Sequence, residues 1–276
     1  MKTRLLTTAV CVPLLIFVLV VRGWFAELVI VAATLAALHE CYQALDAAGY
    51  RPCRWGGYFA AVVMWPLGHF VGVFDPLLLV VSSTGLALTG VMLSREPKFP
   101  DAAASVYPLM TCMLPMSMLM MMMNNVYGVV PGIALITMAF SIAYGTDGMA
   151  YLGGVRFGRH KLCPAVSPKK TVEGAVCGVL GGLAFAQLCR LVFVHLFGVA
   201  MPGVPATLAL GLIGSFAGQI GDLTASLLKR HGGIKDYGNL FPGHGGLMDR
   251  LDSVFFTVIV MYCYTLVLNP AWASVF

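Results

Sequence analysis

The sequence predicts an all-α, polytopic integral membrane protein with about nine transmembrane helices, and three observations support this fold class. Of the 276 residues, 59% are hydrophobic and only 11% are charged, and the mean hydropathy is +0.87. Soluble domains are typically about 45–50% apolar and about 25% charged, so this chain lacks the residues for a water-facing surface. Its apolar residues also fall into runs of roughly 20, the length with which a helix crosses a bilayer.

Nine apolar runs follow one another along the chain. The first, residues 5–21, has a basic start like a signal peptide, but no small-residue cleavage site follows it. We therefore expect a retained first transmembrane helix. The other predicted spans cover residues 24–44, 57–73, 76–94, 104–125, 128–148, 172–198, 205–225 and 253–268. The third and fourth spans meet around Asp75, which predicts a tight helical hairpin.

The basic residues support this division into spans. With a cytoplasmic N-terminus and nine alternating spans, all of the 17 Lys and Arg residues except Arg22 and Arg190 face the cytoplasm. The acidic residues Asp147 and Asp222 lie at the cytoplasmic ends of their spans, beside two basic loops. The sequence thus predicts one membrane domain, residues 1–276, with its active site at the cytoplasmic face of the cell (inner) membrane.

Two classes of partner or site are excluded by composition. The net charge of +5 is clustered between apolar runs and is not interleaved with aromatic residues, so nucleic acid is not an expected partner. None of the eight cysteines forms a CxxC pair or a Cys/His group with zinc spacing. Polar motifs are concentrated in residues 127–276, whereas residues 1–126 are mainly hydrophobic helices.

The first polar segment is Ser167-Pro168-Lys169-Lys170-Thr171, followed by Glu173. It predicts a capped helix N-terminus beside two lysines, and such a terminus can bind an anion through its N–H groups and its dipole. The alternative is a basic loop that only determines topology.

The second polar segment runs from Gly221 to Ser253 and mixes glycines with charges of both signs. Glycines allow the backbone to approach phosphate oxygens, and Lys and Arg neutralise them. Asp222 and Asp249 are the hard oxygen ligands with which proteins hold Mg²⁺ on substrate phosphates. The segment therefore indicates metal-assisted phosphoryl or nucleotidyl transfer.

The spacing in this segment resembles a known signature. The segment contains the run Ser226-x2-Lys229-Arg230-x4-Lys235-Asp236-x-Gly238-x3-Pro242-Gly243-His244-Gly245-Gly246-x2-Asp249-Arg250-x-Asp252. This run is similar to the motif of the phosphatidate cytidylyltransferase family, also called CDP-diacylglycerol synthases. The SPKKTVEG and GDL segments match that pattern in order and spacing. The resemblance covers residues 145–255, and in the N-terminal spans it extends only to hydrophobicity.

The resemblance implies that CTP and phosphatidic acid react to give CDP-diacylglycerol and pyrophosphate, with residues 127–276 as the catalytic half. It implies Mg²⁺ as cofactor, bound by Asp222 and Asp249, and leaves open an additional monovalent cation. It also implies membrane lipids as partners and a homodimer. The residues expected to act on the reacting phosphates are Asp222, Asp249, Lys229, Arg230, Arg250 and Asp252. Substrate binding is expected from Ser167, Lys169, Lys170, Thr171, Lys235, Asp236, Gly243, His244, Gly245 and Gly246.

Some roles have two interpretations. Asp252 either orients Arg250 or acts on the metal indirectly, through hydrogen bonds to the metal ligands. His244 either donates a hydrogen bond to phosphate or caps and packs a glycine turn. Gly148 stands where family members commonly have Thr, and Ala225 stands where an acid is common. These departures weaken a metal role for Asp147.

Four other functions agree less well with the sequence. A CTP-dependent polyprenol or dolichol kinase gives no reason for the full KDxGxxxPGHGG run. A CDP-alcohol phosphotransferase is rejected because Tyr151 replaces the expected Arg and the later aspartate pair is absent. A lipid transporter is disfavoured because the acids gather at one face without an inverted repeat. A purely structural membrane protein does not need such a dense loop of mixed charge.

Overall fold

The computed structural model describes residues 23–71, 74–123, 125–127, 130–241, 243 and 245–268. The predicted first span, residues 5–21, therefore lies outside the described residues, as do Pro242 and His244 of the signature.

Helices dominate the described chain and follow the predicted spans. They are α1 (Gly23–Ala47), α2 (Trp55–Pro66), α3 (Pro76–Met92), α4 (Phe99–Pro108), α5 (Leu114–Met123), α6 (Gly132–Phe157), α7 (Val172–Leu196), α8 (Val204–His231) and α9 (Met248–Leu268). Two short antiparallel ladders supplement them. Strand β1 (Val126–Tyr127) pairs with β2 (Val130–Pro131), and β3 (Lys161–Cys163) pairs with β4 (Ser167–Thr171).

Among the described residues, six helical segments are long and apolar enough to cross a membrane. They are Gly23–Ala47, Phe99–Met123, Gly132–Phe157, Val172–Leu196, Val204–His231 and Met248–Leu268. The helix Pro76–Met92 is apolar but shorter. These segments identify a helical membrane protein, while the total of nine transmembrane helices stays a prediction.

Proline accounts for two irregular turns in the apolar helices. Pro66 ends α2 and is followed by a π-helical turn, Leu67–Val71, and Pro108 ends α4 before a second one, Leu109–Met113. Proline has no N–H and its ring clashes with the carbonyl of the preceding turn. The wider π turn continues the helix past this missing bond, so α4 and α5 form one continuous helical segment.

Asp75 starts the second helix of the predicted hairpin. Its carboxylate accepts hydrogen bonds from the backbone N–H groups of Leu77 at 2.8 Å and Leu78 at 3.4 Å. Pro76 occupies the first helical position, where its missing N–H costs nothing. The helix therefore begins where the sequence indicates.

The chain divides into two compact units. The first contains the described residues up to Met121 together with Leu228–Leu251, and the second contains the described residues of Met122–Leu227 and those from Asp252 onward. In the first unit, α1, α2 and α3 pack around buried side chains such as Leu38, Tyr42 and Met64. The residues of the glycine-rich signature up to Leu251 belong to this unit.

The second unit is built on close packing of α6 against α7. A methyl group at Gly178 would lie 3.0 Å from the Ala150 side chain, and one at Gly182 would lie 2.5 Å from the Thr146 hydroxyl. Thr146 and Ser215 form a buried hydrogen bond of 3.0 Å beside this contact. Small residues and buried hydroxyl pairs are the usual means by which transmembrane helices associate.

The apolar surface of α7 is directed away from the protein interior. Val176, Leu180 and Leu188 are each more than half exposed. In water such a surface would favour association, whereas lipid solvates it without cost. Arg190, on the same helix, donates from Nε to the carbonyl of Pro202 at 2.9 Å, so its charge lies beside the α7–α8 connection.

Two helices run well past the predicted C-terminal ends of their spans. The span predicted to end at residue 148 continues as α6 to Phe157, and the one predicted to end at 225 continues as α8 to His231. The predicted spans ended where polar residues such as Asp147 and Lys229 lower the hydropathy. A charged residue does not by itself end a helix. Part of each predicted loop is therefore helical.

Candidate active site

Helix α8 ends directly after the first cationic pair of the signature. Gly233 adopts a left-handed backbone with φ of +64°, and the N–H of Ile234 bonds to the carbonyl of Lys229 at 2.9 Å. The N–H of Gly233 donates to the backbone carbonyl of Arg230 at 3.2 Å, which completes a Schellman motif. This ending fixes Lys229 on the last turn of the helix and leaves Arg230 exposed.

The segment that follows is a tight glycine turn. Gly243 and Gly245 have φ of +78° and +83°, values that side-chain-bearing residues rarely adopt. The N–H of Phe241 bonds across the turn to the carbonyl of Gly245 at 2.9 Å. The left-handed backbone conformation therefore requires glycine at these two positions. His244 is not among the described residues, so both interpretations of its role stay predictions.

Asp249 lies at the centre of this segment, in the first turn of α9. Its Oδ1 accepts from the Lys229 ammonium at 2.7 Å, and its Oδ2 accepts from the N–H groups of Tyr237 at 2.7 Å and Gly246 at 3.0 Å. Only 4% of the Asp249 side chain and 12% of the Lys229 side chain are exposed. The Lys229 ammonium also lies 5.3 Å from the centre of the Tyr237 ring. One buried carboxylate thus connects α8, the turn and α9.

Glu40 holds the same segment from α1, and the sequence analysis missed it. Its two carboxylate oxygens accept from the N–H groups of Leu247 at 3.0 Å and Met248 at 2.8 Å. Glu40 is 6% exposed. The signal in the sequence was an acidic residue inside an apolar span, which is costly unless it is paired. Its partners are more than 200 positions away, so spacing alone could not identify them.

The second unit carries the other predicted motif on the β3–β4 ladder. Cys163 pairs with Ser167 and Lys161 with Thr171, and Lys170 forms an ion pair with Asp222 of α8. About a quarter of each of these two side chains is exposed. Asp222 also lies 3.4 Å from the Ser226 hydroxyl. The structure therefore brings together Lys170 of the SPKKT segment and Asp222 of the GDL segment.

The predicted capped helix start is confirmed. The Thr171 hydroxyl accepts from the N–H of Gly174 at 3.1 Å and caps α7. Glu173 accepts from the N–H groups of Arg159 at 3.0 Å and His160 at 3.2 Å, and from the His160 ring at 2.6 Å. Glu173 thus connects the end of α6 to the start of α7 and orders the turn before β3.

Two further acids lie in the second unit, and both accept hydrogen bonds from Ser253. Asp147 accepts from the Ser253 hydroxyl at 2.8 Å, and Asp252 accepts from the N–H of Ser253 at 2.8 Å. The carbonyl of Asp252 lies so close to Gly221 that a methyl group there would overlap it. The alternative roles of Asp252 toward Arg250 or a metal stay predictions.

The remaining predicted residues are surface groups. Lys169, Lys235, Asp236 and Arg250 are exposed, and Ser167 is half-buried. Their positions leave the charged side chains accessible to a solute.

Hard oxygen donors suited to Mg²⁺ are available at both predicted ligands. Asp222 is partly exposed, and its second oxygen is engaged only by the long contact to Ser226 among the described residues. A carboxylate has about four acceptor positions, and described donors occupy three of those of Asp249. In the described ranges, no three His, Cys, Asp or Glu side chains form a metal site by themselves. Proteins usually hold Mg²⁺ with one or two carboxylates, water and substrate phosphates.

Comparison with known proteins identifies relatives of the same kind. The chain is 43% identical over 127 residues to a phosphatidate cytidylyltransferase of Staphylococcus saprophyticus, covering 46% of this chain and 47% of the relative. It is 41% identical over 133 residues to the enzyme of that name from Bacillus subtilis, covering 48% and 47%. It is 39% identical over 134 residues to phosphatidate cytidylyltransferase 5, chloroplastic, of Arabidopsis thaliana, covering 48% and 32%.

These matches span about half the length of the bacterial relatives and a third of the plant one. The model of the cytidylyltransferase family matches much more of the chain, residues 2–268. The chain therefore belongs to the cytidylyltransferase family.

Proposed function

We propose that this protein is a phosphatidate cytidylyltransferase, which converts CTP and phosphatidic acid to CDP-diacylglycerol and pyrophosphate. A phosphate oxygen of the lipid attacks the α-phosphorus of CTP. The new P–O bond forms as the bond from the α-phosphorus to the bridging oxygen of the β-phosphate breaks, and pyrophosphate leaves. No protein nucleophile is needed, because the lipid supplies the attacking oxygen.

The observation that carries this proposal is the glycine turn held around the Lys229–Asp249 pair, in a chain of the cytidylyltransferase family. The left-handed glycines leave a backbone without side chains, to which phosphate oxygens can come close. Exposed Lys235 and Arg250 flank the turn with positive charge. These features support a nucleoside triphosphate as the ligand of this segment.

The remaining cations are proposed to neutralise phosphate oxygens. Lys169 and Lys170 of β4 and Arg230 of α8 supply charge, and Arg250 is suited to bidentate binding. Ser167 and Thr171 lie on the strand that carries the lysines, Asp236 and Gly246 lie in the segment of the glycine turn, and all four are proposed to bind substrate. Such groups act by positioning the reactants and offsetting charge, which are the main contributions to phosphoryl-transfer catalysis.

We propose that Asp222 and Asp249 bind Mg²⁺. When bound, Mg²⁺ supplies charge neutralisation on the nucleotide phosphates and on the leaving pyrophosphate. Lys170 and Lys229 hold the two carboxylates in place and offset their charge. An additional monovalent cation, a homodimer and an active site at the cytoplasmic side of the cell membrane are further parts of the proposal. The distribution of basic residues supports the cytoplasmic side.

The test is an assay of the purified protein in lipid nanodiscs with labelled CTP, phosphatidic acid and Mg²⁺. We expect labelled CDP-diacylglycerol that disappears when Mg²⁺ is chelated. Asp249→Asn and Asp222→Asn should each lower the rate roughly 100-fold, because loss of a metal ligand removes several kcal/mol of transition-state stabilisation.

The matched control is Glu96→Gln, which neutralises an exposed acid whose partner at 3.7 Å is Lys98. It should keep the wild-type rate. A phosphorylated product from a polyprenol, with none from phosphatidic acid, would replace the proposal with a lipid kinase. Lipid transfer between leaflets without turnover of CTP would replace it with a transporter.

A further inference from the structure

Glu40 makes a contact that its own helix does not need. It lies in the last two turns of α1, where the apolar surroundings make an ionised group costly. Its carboxylate bonds to two backbone N–H groups, those of Leu247 and Met248. These groups are at the start of α9, which begins at Met248.

The first N–H groups of a helix have no partner within the helix. They are usually satisfied by a side chain just before the helix, but here they are satisfied by a carboxylate from a remote helix. Bonds from N–H to an ionised acceptor are roughly twice as strong as neutral ones, and the helix dipole adds to the attraction. Glu40 therefore caps the start of α9 from a distant helix.

The glycines of the signature fit against the same carboxylate. A methyl group at Gly246 would overlap both oxygens of Glu40, and one at Gly238 would lie 2.6 Å from Oε1. These two glycines therefore allow the turn to close onto Glu40, which is a separate reason for their presence beside phosphate binding.

The N–H groups that bind Glu40 directly follow one that binds Asp249. The N–H of Gly246 donates to Asp249, and the next two N–H groups along the chain donate to Glu40. Two carboxylates thus bind three consecutive N–H groups. A displacement of Glu40 would shift the backbone that orients the Asp249 carboxylate.

We propose that Glu40 is a positioning residue of the candidate active site, which holds the turn and the first residues of α9 so that Asp249 is oriented to bind Mg²⁺. This inference rests on the proposed function for its metal, but not for its contact. Residues that orient metal ligands from behind typically change metal affinity about 10–100-fold when they are altered.

Glu40→Gln tests the contact with the smallest change in shape. A glutamine amide can accept only one of the two N–H groups, because its nitrogen is a donor. The matched control is Glu27→Gln on the same helix. Glu27 is also buried, at 5% exposure, but its carboxylate bonds to His69 at 2.9 Å.

The first readout is amide hydrogen exchange of a peptide that contains Leu247 and Met248, in nanodiscs without substrate. We expect exchange at least about tenfold faster in Glu40→Gln and unchanged in Glu27→Gln. The second readout is the Mg²⁺ concentration for half-maximal rate, which should rise about 10–100-fold in Glu40→Gln alone. A smaller folded fraction would lower the rate without changing this concentration.

The two readouts separate the possible failures. Wild-type exchange in Glu40→Gln, or faster exchange with an unchanged Mg²⁺ requirement, would overturn the inference. A wild-type protein that makes no CDP-diacylglycerol would instead overturn the proposed function, and exchange would still decide the contact. If Glu40→Gln does not fold, Gly246→Ala disturbs the same contact from the other side. An unchanged Mg²⁺ requirement in that variant would also overturn the inference.

Discussion

Lys229 and Asp249 form the most enclosed ion pair among the described residues. Burying two charges costs several kcal/mol per ion, and the pair recovers this only when its remaining hydrogen-bonding positions are satisfied. Here Tyr237 and Gly246 supply two backbone N–H groups to the carboxylate. Lys229 therefore has a stabilising role in addition to the one proposed toward phosphate.

Lys229→Met should lower the free energy of unfolding by about 3 kcal/mol, because it leaves a buried carboxylate without its cation. Titration with SDS, followed by tryptophan fluorescence, measures this change. The double variant Lys229→Met/Asp249→Asn should be more stable than Lys229→Met, since no unpaired charge remains. Equal stability of Lys229→Met and wild type would show that the pair contributes nothing to folding.

Close approach of α8 and α9 in the second unit depends on Gly221, the residue before Asp222. A methyl group there would overlap the carbonyl of Asp252 and lie 2.7 Å from the Phe256 ring. A backbone carbonyl cannot move aside as a flexible side chain can. The glycine of the GDL motif is therefore explained by helix packing.

Gly221→Ala should destabilise the protein by about 1–3 kcal/mol, the usual cost of overpacking. Gly85→Ala in α3 is the matched control, because Gly85 is helical and has no neighbouring atom within 4 Å of an added methyl group. It should be neutral or stabilising by up to about 1 kcal/mol, since alanine favours helices. The same SDS titration compares them, and equal effects of the two substitutions would refute the packing explanation.

The elements differ in how far the sequence could predict them. The described helices lie where apolar runs predicted spans, because a bilayer requires about 20 apolar residues per crossing. The start of α7 was predictable from Thr171 and Glu173, since a cap is a local interaction. The ends of α6 and α8 were not predictable from the sequence. Hydropathy indicates which residues can lie in lipid, but it does not indicate where the hydrogen bonds of a helix end.

The candidate site was predictable where its contacts lie within the signature. Asp249, Lys229 and Gly246 are all in the motif, and the structure brings them together. Glu40 was missed because its partners come from the other end of the chain. Pairing at such sequence distance depends on the packing of helices, which composition and spacing do not encode.

At the scale of the whole molecule, the six apolar helices of the described residues and the one-sided distribution of basic residues that the predicted topology implies favour a single orientation in the membrane. Asn239 lies between α8 and α9, in a segment expected on the cytoplasmic side. Ala200 lies between α7 and α8, in a segment expected outside. Both residues are exposed.

Asn239→Cys and Ala200→Cys, each introduced after replacement of the eight native cysteines, report this orientation. In intact cells, a membrane-impermeant maleimide should label Ala200→Cys, because that segment is expected to face outward. It should label Asn239→Cys only after the membrane is opened. Labelling of Asn239→Cys in intact cells would place the signature outside and refute the predicted topology.

The bond between Glu40 and the start of α9 also constrains how the protein is made. Glu40 is synthesised 207 residues before Leu247. At roughly 5–20 residues per second, ribosomes reach the second partner about 10–40 s after the first. During that interval the carboxylate depends on water, lipid headgroups or an insertion factor, and the bonds can form only once the chain has emerged as far as Met248. A prematurely terminated chain would keep an unsatisfied acid in its first described helix, which cellular quality control could recognise.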